Sequence, residues 1–230
     1  MKRRKDLNGR GLREAEIKAL VLTQLHEAGI LDKKSVVASE FSLLGTSCRV
    51  DLAIMGSTFV GIEIKSAADT LRRLPHQVST YCQFFDQVIV VAAPNHAAVL
   101  RASELGGAQV WALTHRGTLD IDDAFAFSSN HRRELRTSLL TKRDRDRFAG
   151  QKSEICDPFE MAFRARYEET SRRFWSNLRG KTVSVADIER LSPYYDTRTR
   201  QTMWRQAREA RWAEWTREAA RTWGEPSACS

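Results

Sequence analysis

RVDLAIMGSTFVGIEIK, Arg49 through Lys65, holds two alternating runs either side of Gly56 and Ser57. Alternation with period two reads as two strands, and the Gly-Ser between them as the turn of a hairpin. Folded on Ser57, one face pairs Val50 with Ile64, Leu52 with Ile62 and Ile54 with Val60. All three pairs are apolar, as a buried face requires. A slip of one residue would set Val50 against Glu63 and lose the match. The other face then opposes Asp51 to Glu63 and Arg49 to Lys65. Two carboxylates opposed on adjacent strands repel, and solvent screens them poorly in a central hairpin. Neighbouring cations, a shared proton or a bound divalent ion can offset the repulsion. Two readings follow: an ion cluster satisfied by Arg49 and Lys65, or a hard-cation site of oxygen ligands with a lysine two residues beyond.

Outward from the hairpin, Ile17, Leu20, Val21, Leu25 and Ala28 keep helical spacing over residues 11–29, and Gly29 supplies the stop. Residues 36–43 read as a strand closed by Gly45-Thr46-Ser47. Residues 69–86 read as a helix in which Pro75 marks a restart or a kink. A buried-strand pattern over 88–92, a helix over 95–105 and a strand over 108–113 follow. The order helix, three strands, helix, strand, helix, strand implies an α/β domain, a meander leading into a crossover. Beyond about residue 120 the strand patterns stop. The chain becomes polar and Arg-rich, and Trp175, Trp204, Trp212, Trp215 and Trp223 all lie there. The composition divides the chain into a basic tail (1–10), a core (11–118), a polar connection (119–150) and a Trp/Arg-rich helical region (151–230). Trp204, Arg208, Arg211, Trp212 and Trp215 recur at helical spacing. Aromatics interleaved with arginine can stack on bases and grip phosphates, but the spacing favours the buried face of a packed helix.

With 42% hydrophobic residues in 230, the chain has material for a core and too much for disorder. The longest apolar run, Val88 to Ala93, cannot span a bilayer. The basic start Met1 to Lys5 lacks the apolar segment of a signal peptide. Membrane and secretory classes are excluded, and a cytoplasmic protein is expected. The net charge of +8 favours a polyanion, nucleic acid before a membrane surface. Cys48, Cys82, Cys156 and Cys229 and the scattered histidines show no metal-ligand spacing.

Val50-Asp51, eleven intervening residues and Glu63-Ile64-Lys65 resemble the signature of the PD-(D/E)XK nuclease superfamily. The element order is similar to that family's αβββαβ restriction-endonuclease-like core, here with a C-terminal helical extension. The run Glu63-Ile64-Lys65-Ser66, Asp69-Thr70-Leu71, Arg73-Leu74, Gln77, Tyr81 and Phe85-Asp86 resembles an uncharacterised bacterial and phage branch. Val50 stands where the family name has proline. The resemblance spans roughly residues 11–115.

The resemblance implies that Asp51, Glu63 and the Ile64 carbonyl hold Mg²⁺ or Mn²⁺, ions suited to oxygen-only ligation. Lys65 would position or help deprotonate the attacking water, and the reaction would be phosphodiester hydrolysis. DNA is favoured over RNA as the substrate. A homodimer would suit double-strand cutting, though the sequence carries no interface signal. A catalytically silent nucleic-acid-binding or regulatory module on the same fold is the alternative. Glu14, at the edge of the inward helix stripe, is a better candidate than Glu16 for the further carboxylate that similar proteins supply to the site from the first helix, and a solvated helix start is its other reading. Glu40 would ligate metal or pair with Arg49. Gln77 and Tyr81, four apart on one helix face, would contact the active-site lysine or a substrate phosphate. Arg72, Arg73 and the Lys2 to Lys5 cluster are candidate phosphate contacts.

Overall fold

The computed structural model describes residues 11–103, 105–121, 133–148, 157–178, 180, 182–192 and 195–223. The basic tail, part of the polar connection and the Lys2 to Lys5 cluster therefore lie outside the described residues. The elements run α1 (Glu14–Glu27), β1 (Val36–Ser42), β2 (Arg49–Met55), β3 (Phe59–Lys65), α2 (Leu74–Phe84), β4 (Gln87–Ala92), α3 (Pro94–Arg101), β5 (Gln109–Leu113) and β6 (Leu119–Ile121). They continue with α4 (Arg133–Arg136), α5 (Lys142–Phe148), α6 (Pro158–Asn177), α7 (Val185–Arg190) and α8 (Tyr195–Trp223). The fold is mixed α/β, with helices on both faces of a six-stranded sheet.

The sheet order is β1-β2-β3-β4-β5-β6. β1, β2 and β3 form the antiparallel meander, β3 to β4 and β4 to β5 are parallel, and β6 returns antiparallel. The sequence pattern did not include β6, whose three residues are too few for alternation to register. The hairpin pairs Leu52 with Ile62, Ala53 with Gly61, Ile54 with Val60 and Met55 with Phe59, the register the apolar match requires. Both of its faces are buried. Leu52, Ile54, Val60, Ile62 and Ile64 pack with Ile17, Val21 and Leu22 of α1. Ala53, Met55 and Phe59 pack with α2 and the first half of α6. Gly61 faces Phe85, and a Cβ there would lie 2.8 Å from the Phe85 ring.

Two local expectations are corrected. Val50 joins Ala53 and Met55, not the cluster of Leu52 and Ile64. Strict alternation would put Val50 with Leu52, so the alternation is interrupted at Asp51. Across the strand pair, Ser39 faces Leu52 and Phe41 faces Val50. Between them Glu40 adopts φ +60°, the one positive-φ residue other than glycine among those described. Such a backbone costs on the order of 1–3 kcal/mol and concentrates at functional sites. The second correction concerns α2, which starts at Leu74 with Pro75 in its first turn, where a missing N–H costs nothing. Residues 66–69 form a turn instead, in which Asp69 accepts from the Ser66 amide and hydroxyl at 2.7 and 2.6 Å.

The expected division at 119–150 is not where the compact unit ends. That unit runs to Ser192, and residues from Pro193 form a second. The reason is α6, which covers the outer edge of β1. Ser171 Oγ accepts from the Val37 amide at 2.7 Å and donates to the Val37 carbonyl at 2.9 Å, and Trp175 Nε1 donates to the Ser35 carbonyl. An uncovered edge strand would template aggregation. Phe159, Phe163 and Tyr167 of α6 meet Phe41 and Phe59 edge-on, with centroids 5.2–6.4 Å apart. Each buried aromatic contributes about 1.5–3 kcal/mol. Trp175 is therefore core, as its apolar position suggests. Trp204, Trp212 and Trp215 are exposed along α8, against the expectation of a buried stripe. Among the described residues, no helix is long and apolar enough to cross a membrane.

Candidate active site

Asp51, Glu63, Ile64, Lys65 and Gln77 line one polar cleft of about 490 Å³, shared with Glu14, Arg49, Asp69, Arg73 and the 46–48 turn. The interrupted β1–β2 pairing opens this end of the sheet, and regular alternation in β3 puts Gly61, Glu63 and Lys65 on one face. Gly45, at φ +80°, lets the β1–β2 turn close so that Thr46 and Ser47 reach the rim.

Glu63 and Lys65 form the most densely hydrogen-bonded part. Glu63 is 3% exposed. Its Oε1 accepts from Lys65 Nζ at 2.7 Å and from Gln77 Nε2 at 2.9 Å, and its Oε2 accepts from the Tyr81 hydroxyl at 2.9 Å. Gln77 Oε1 in turn accepts from Lys65 Nζ at 3.1 Å. The carboxamide thus bridges carboxylate and ammonium, and two of the three Lys65 donors are engaged. Of the two contacts expected for Gln77, the structure provides the one to lysine. The Tyr81 hydroxyl also lies 2.8 Å from the Arg49 carbonyl, which ties α2 to the start of β2. Burial and the adjacent Glu63 charge push the Tyr81 hydroxyl well above its ordinary pKa, so it stays a donor.

Asp51 is held differently. Its Oδ2 accepts from the Ile64 amide at 2.6 Å, so the Ile64 group seen at Asp51 is its N–H and not its carbonyl. Burial, followed by the Glu63 charge, raises the Asp51 pKa to about 8 against the opposing pull of Lys18 and the Ile64 amide.

The carboxylates that gather are Glu14, Glu40 and Asp51, with one oxygen from each within 4.8 Å of the others. This differs from the expected grouping of Asp51 with Glu63, because the Glu63 oxygens are taken by Lys65, Gln77 and Tyr81. Lys18, whose side chain is 4% exposed, sits among the three. Its Nζ lies 2.6 Å from Glu14 Oε1, 3.9 Å from Asp51 Oδ1 and in contact with Glu40. Burial alone would lower the Lys18 pKa, but Asp51, Glu14 and Glu40 outweigh it and hold the value above normal. Glu40 Oε2 pairs with Arg49 Nε at 2.9 Å, one of its two expected roles. Glu16 turns instead to the helix start, accepting from the Arg13 amide.

Arg73 lines the cleft, whereas Arg72 is exposed and not among its lining residues. Sequence reasoning missed Lys18, although its position four residues after Glu14 was a readable i,i+4 signal. It also missed the role of Asp86. That carboxylate accepts from the Phe59 amide at 2.7 Å and pairs with buried Arg136, which also donates to the Phe84 carbonyl at 2.8 Å. Asp86 and Arg136 are structural, anchoring the β3–β4 crossover.

A family model described as Bacteriophage P4 protein cII matches residues 8–121, a span that contains every residue lining the cleft. Protein cII of Enterobacteria phage P4 is 35% identical over 84 residues, 36% of this chain. The matched segment spans 31% of that relative's length. A solved structure of a protein of unknown function from Silicibacter pomeroyi aligns at a TM-score of 0.37 and 18% identity, covering 63% of this chain and 96% of that one.

Proposed function

We propose that the cleft hydrolyses phosphodiester bonds of nucleic acid, DNA in preference to RNA, with Mg²⁺ or Mn²⁺ as cofactor. The observation that carries this reading is the presence in one polar cleft of Asp51 and a hydrogen-bonded Glu63-Lys65-Gln77 unit. The oxygen donors of Glu14, Glu40 and Asp51 suit a hard divalent cation, and these residues would hold it. When bound, such an ion would supply charge stabilisation at a phosphoryl oxygen and lower the pKa of a bound water. Lys65, held by Glu63 and Gln77, keeps a third donor for an attacking water or a phosphate oxygen. Gln77 and Tyr81 are positioning residues that act through Glu63 and Lys65. Arg73 and the Ser47 hydroxyl offer donors to the phosphates on either side of the scissile bond, and the net charge of +8 supports a polyanionic substrate.

A second reading, a catalytically silent nucleic-acid-binding or regulatory module, is favoured by Lys18, whose ammonium already neutralises the three gathered carboxylates. One experiment separates the two. Circular duplex, linear duplex, single-stranded DNA and single-stranded RNA are incubated with Mg²⁺, Mn²⁺ or EDTA, comparing wild type with Asp51→Asn and Lys65→Ala. Metal-dependent cutting lost in both variants supports the nuclease. Retained binding without cutting supports the silent module, and cutting that survives both substitutions rejects this cleft.

A further inference from the structure

The helix α8 carries an exposed aromatic face. Trp204, Trp212 and Trp215 are 75%, 66% and 53% exposed, and the Trp212 and Trp215 rings sit 5.0 Å apart, tilted by 31°. At 3.6 residues per turn, Trp204, Arg208, Arg211, Trp212 and Trp215 fall within roughly 100° of arc. Glu209 and Glu214 project outside that arc, so between residues 204 and 215 the face combines indoles with guanidinium groups and no carboxylate. An indole left in water forfeits the burial that makes tryptophan favourable in a core, and a partner is the way to recover it.

The charge pattern selects the partner. A second copy of the helix would set Arg208 and Arg211 against their own kind with no acid in the face to answer them. A polyanion meets both arginines, and flat rings matched to indoles complete the description. Duplex DNA hides its base faces within the stack, whereas a single strand exposes them.

We infer that the Trp204–Trp215 face of α8 binds single-stranded DNA, with indoles stacking on bases and Arg208 and Arg211 contacting phosphates. The choice of DNA rests on the proposed reading of the cleft; the stacking and charge arguments do not.

The test is fluorescence anisotropy of a labelled 20-nucleotide oligo(dT) with the full chain in EDTA, where cleavage cannot intervene. The triple variant Trp204→Ala/Trp212→Ala/Trp215→Ala should lose at least roughly 100-fold in affinity, since stacking is worth about fivefold or more per base. Alanine is the better helix former, so its circular dichroism should match wild type. Replacement of the same three tryptophans by phenylalanine keeps a stacking ring and should recover most of the binding. Arg208→Ala/Arg211→Ala should lower the salt dependence by roughly 1.4 in log–log slope. Equal binding by the alanine variant overturns the inference. So does equal or tighter binding of linear duplex or oligo(U), or a wild-type dimer that the alanine variant splits without loss of affinity. Failure of the cleft reading is separately visible: binding through α8 persists in EDTA while no substrate is cut at any metal concentration.

Discussion

Substituting Gly61→Ala tests how tightly β3 is packed against Phe85 at the end of α2. The added methyl would meet Phe85 at 2.8 Å from Cγ and Cδ2 and 3.0 Å from Cδ1. Ordinary carbon contacts lie near 3.5–4.0 Å, so the ring must retreat by about 0.7 Å. It has little room to do so. Phe85 is 2% exposed, stacks on Phe59 at 4.4 Å, and meets Tyr81 edge-on at 6.1 Å. Overpacking of this kind costs about 1–3 kcal/mol. Alanine recovers about 0.5–1 kcal/mol by restricting the unfolded chain, leaving a net loss of about 1–2 kcal/mol. For a chain of this size that lowers Tm by roughly 2–8 °C. Thermal and urea unfolding monitored by circular dichroism provide the readout. Adding Phe85→Leu should relieve the clash, so the double variant should be more stable than the sum of the single effects by at least about 1 kcal/mol. Because Tyr81 holds Glu63, Gly61→Ala should also weaken any metal-dependent activity. A Gly61→Ala protein as stable as wild type, or strictly additive effects, would refute the packing argument.

Three further outcomes follow from the buried charges. Arg136→Met leaves the Asp86 carboxylate buried without its cation and should cost about 3–5 kcal/mol in urea unfolding; a loss below about 1 kcal/mol would mean that the Phe59 amide alone satisfies Asp86. In metal-free protein, Asp51 with its pKa raised to about 8 contributes stability that is complete below about pH 4 and is lost as pH rises through 8. Asp51→Asn cannot ionise, so its stability relative to wild type should climb from pH 4 to 8 and level off above, and a difference that does not vary with pH would contradict this. Lys18→Met removes the ammonium from among Glu14, Glu40 and Asp51. It should lower Tm in EDTA yet give a larger Tm rise with Mn²⁺ than wild type shows, whereas equal losses with and without the ion would make Lys18 a packing residue alone.

The sequence by itself determined five of the six strands, their order along the chain and the hairpin register, because period-two alternation and one apolar match admit a single pairing of Leu52 with Ile62 and Ile54 with Val60. It also opposed Asp51 to Glu63 across the hairpin and put Gln77 and Tyr81 on one helix face, since strand parity and i,i+4 spacing are local rules; that the helix meets the hairpin there was implied by the family resemblance alone. Tertiary structure decided what those groups touch. A positive φ at Glu40 interrupts the β1–β2 pairing and turns Val50 to the other face, which no periodicity announces. The partners of Glu63 come from α2, and the cation beside Asp51 comes from α1, thirty-three positions earlier in the chain. Electrostatic neighbours are set by distance through space, and only the packed helices fix that distance. The same holds for the tryptophans: Trp175 and Trp212 both lie in the Arg-rich helical region, yet α6 buries Trp175 against β1 and α8 leaves Trp212 in water. Spacing fixes which residues share a face, and packing fixes what that face meets.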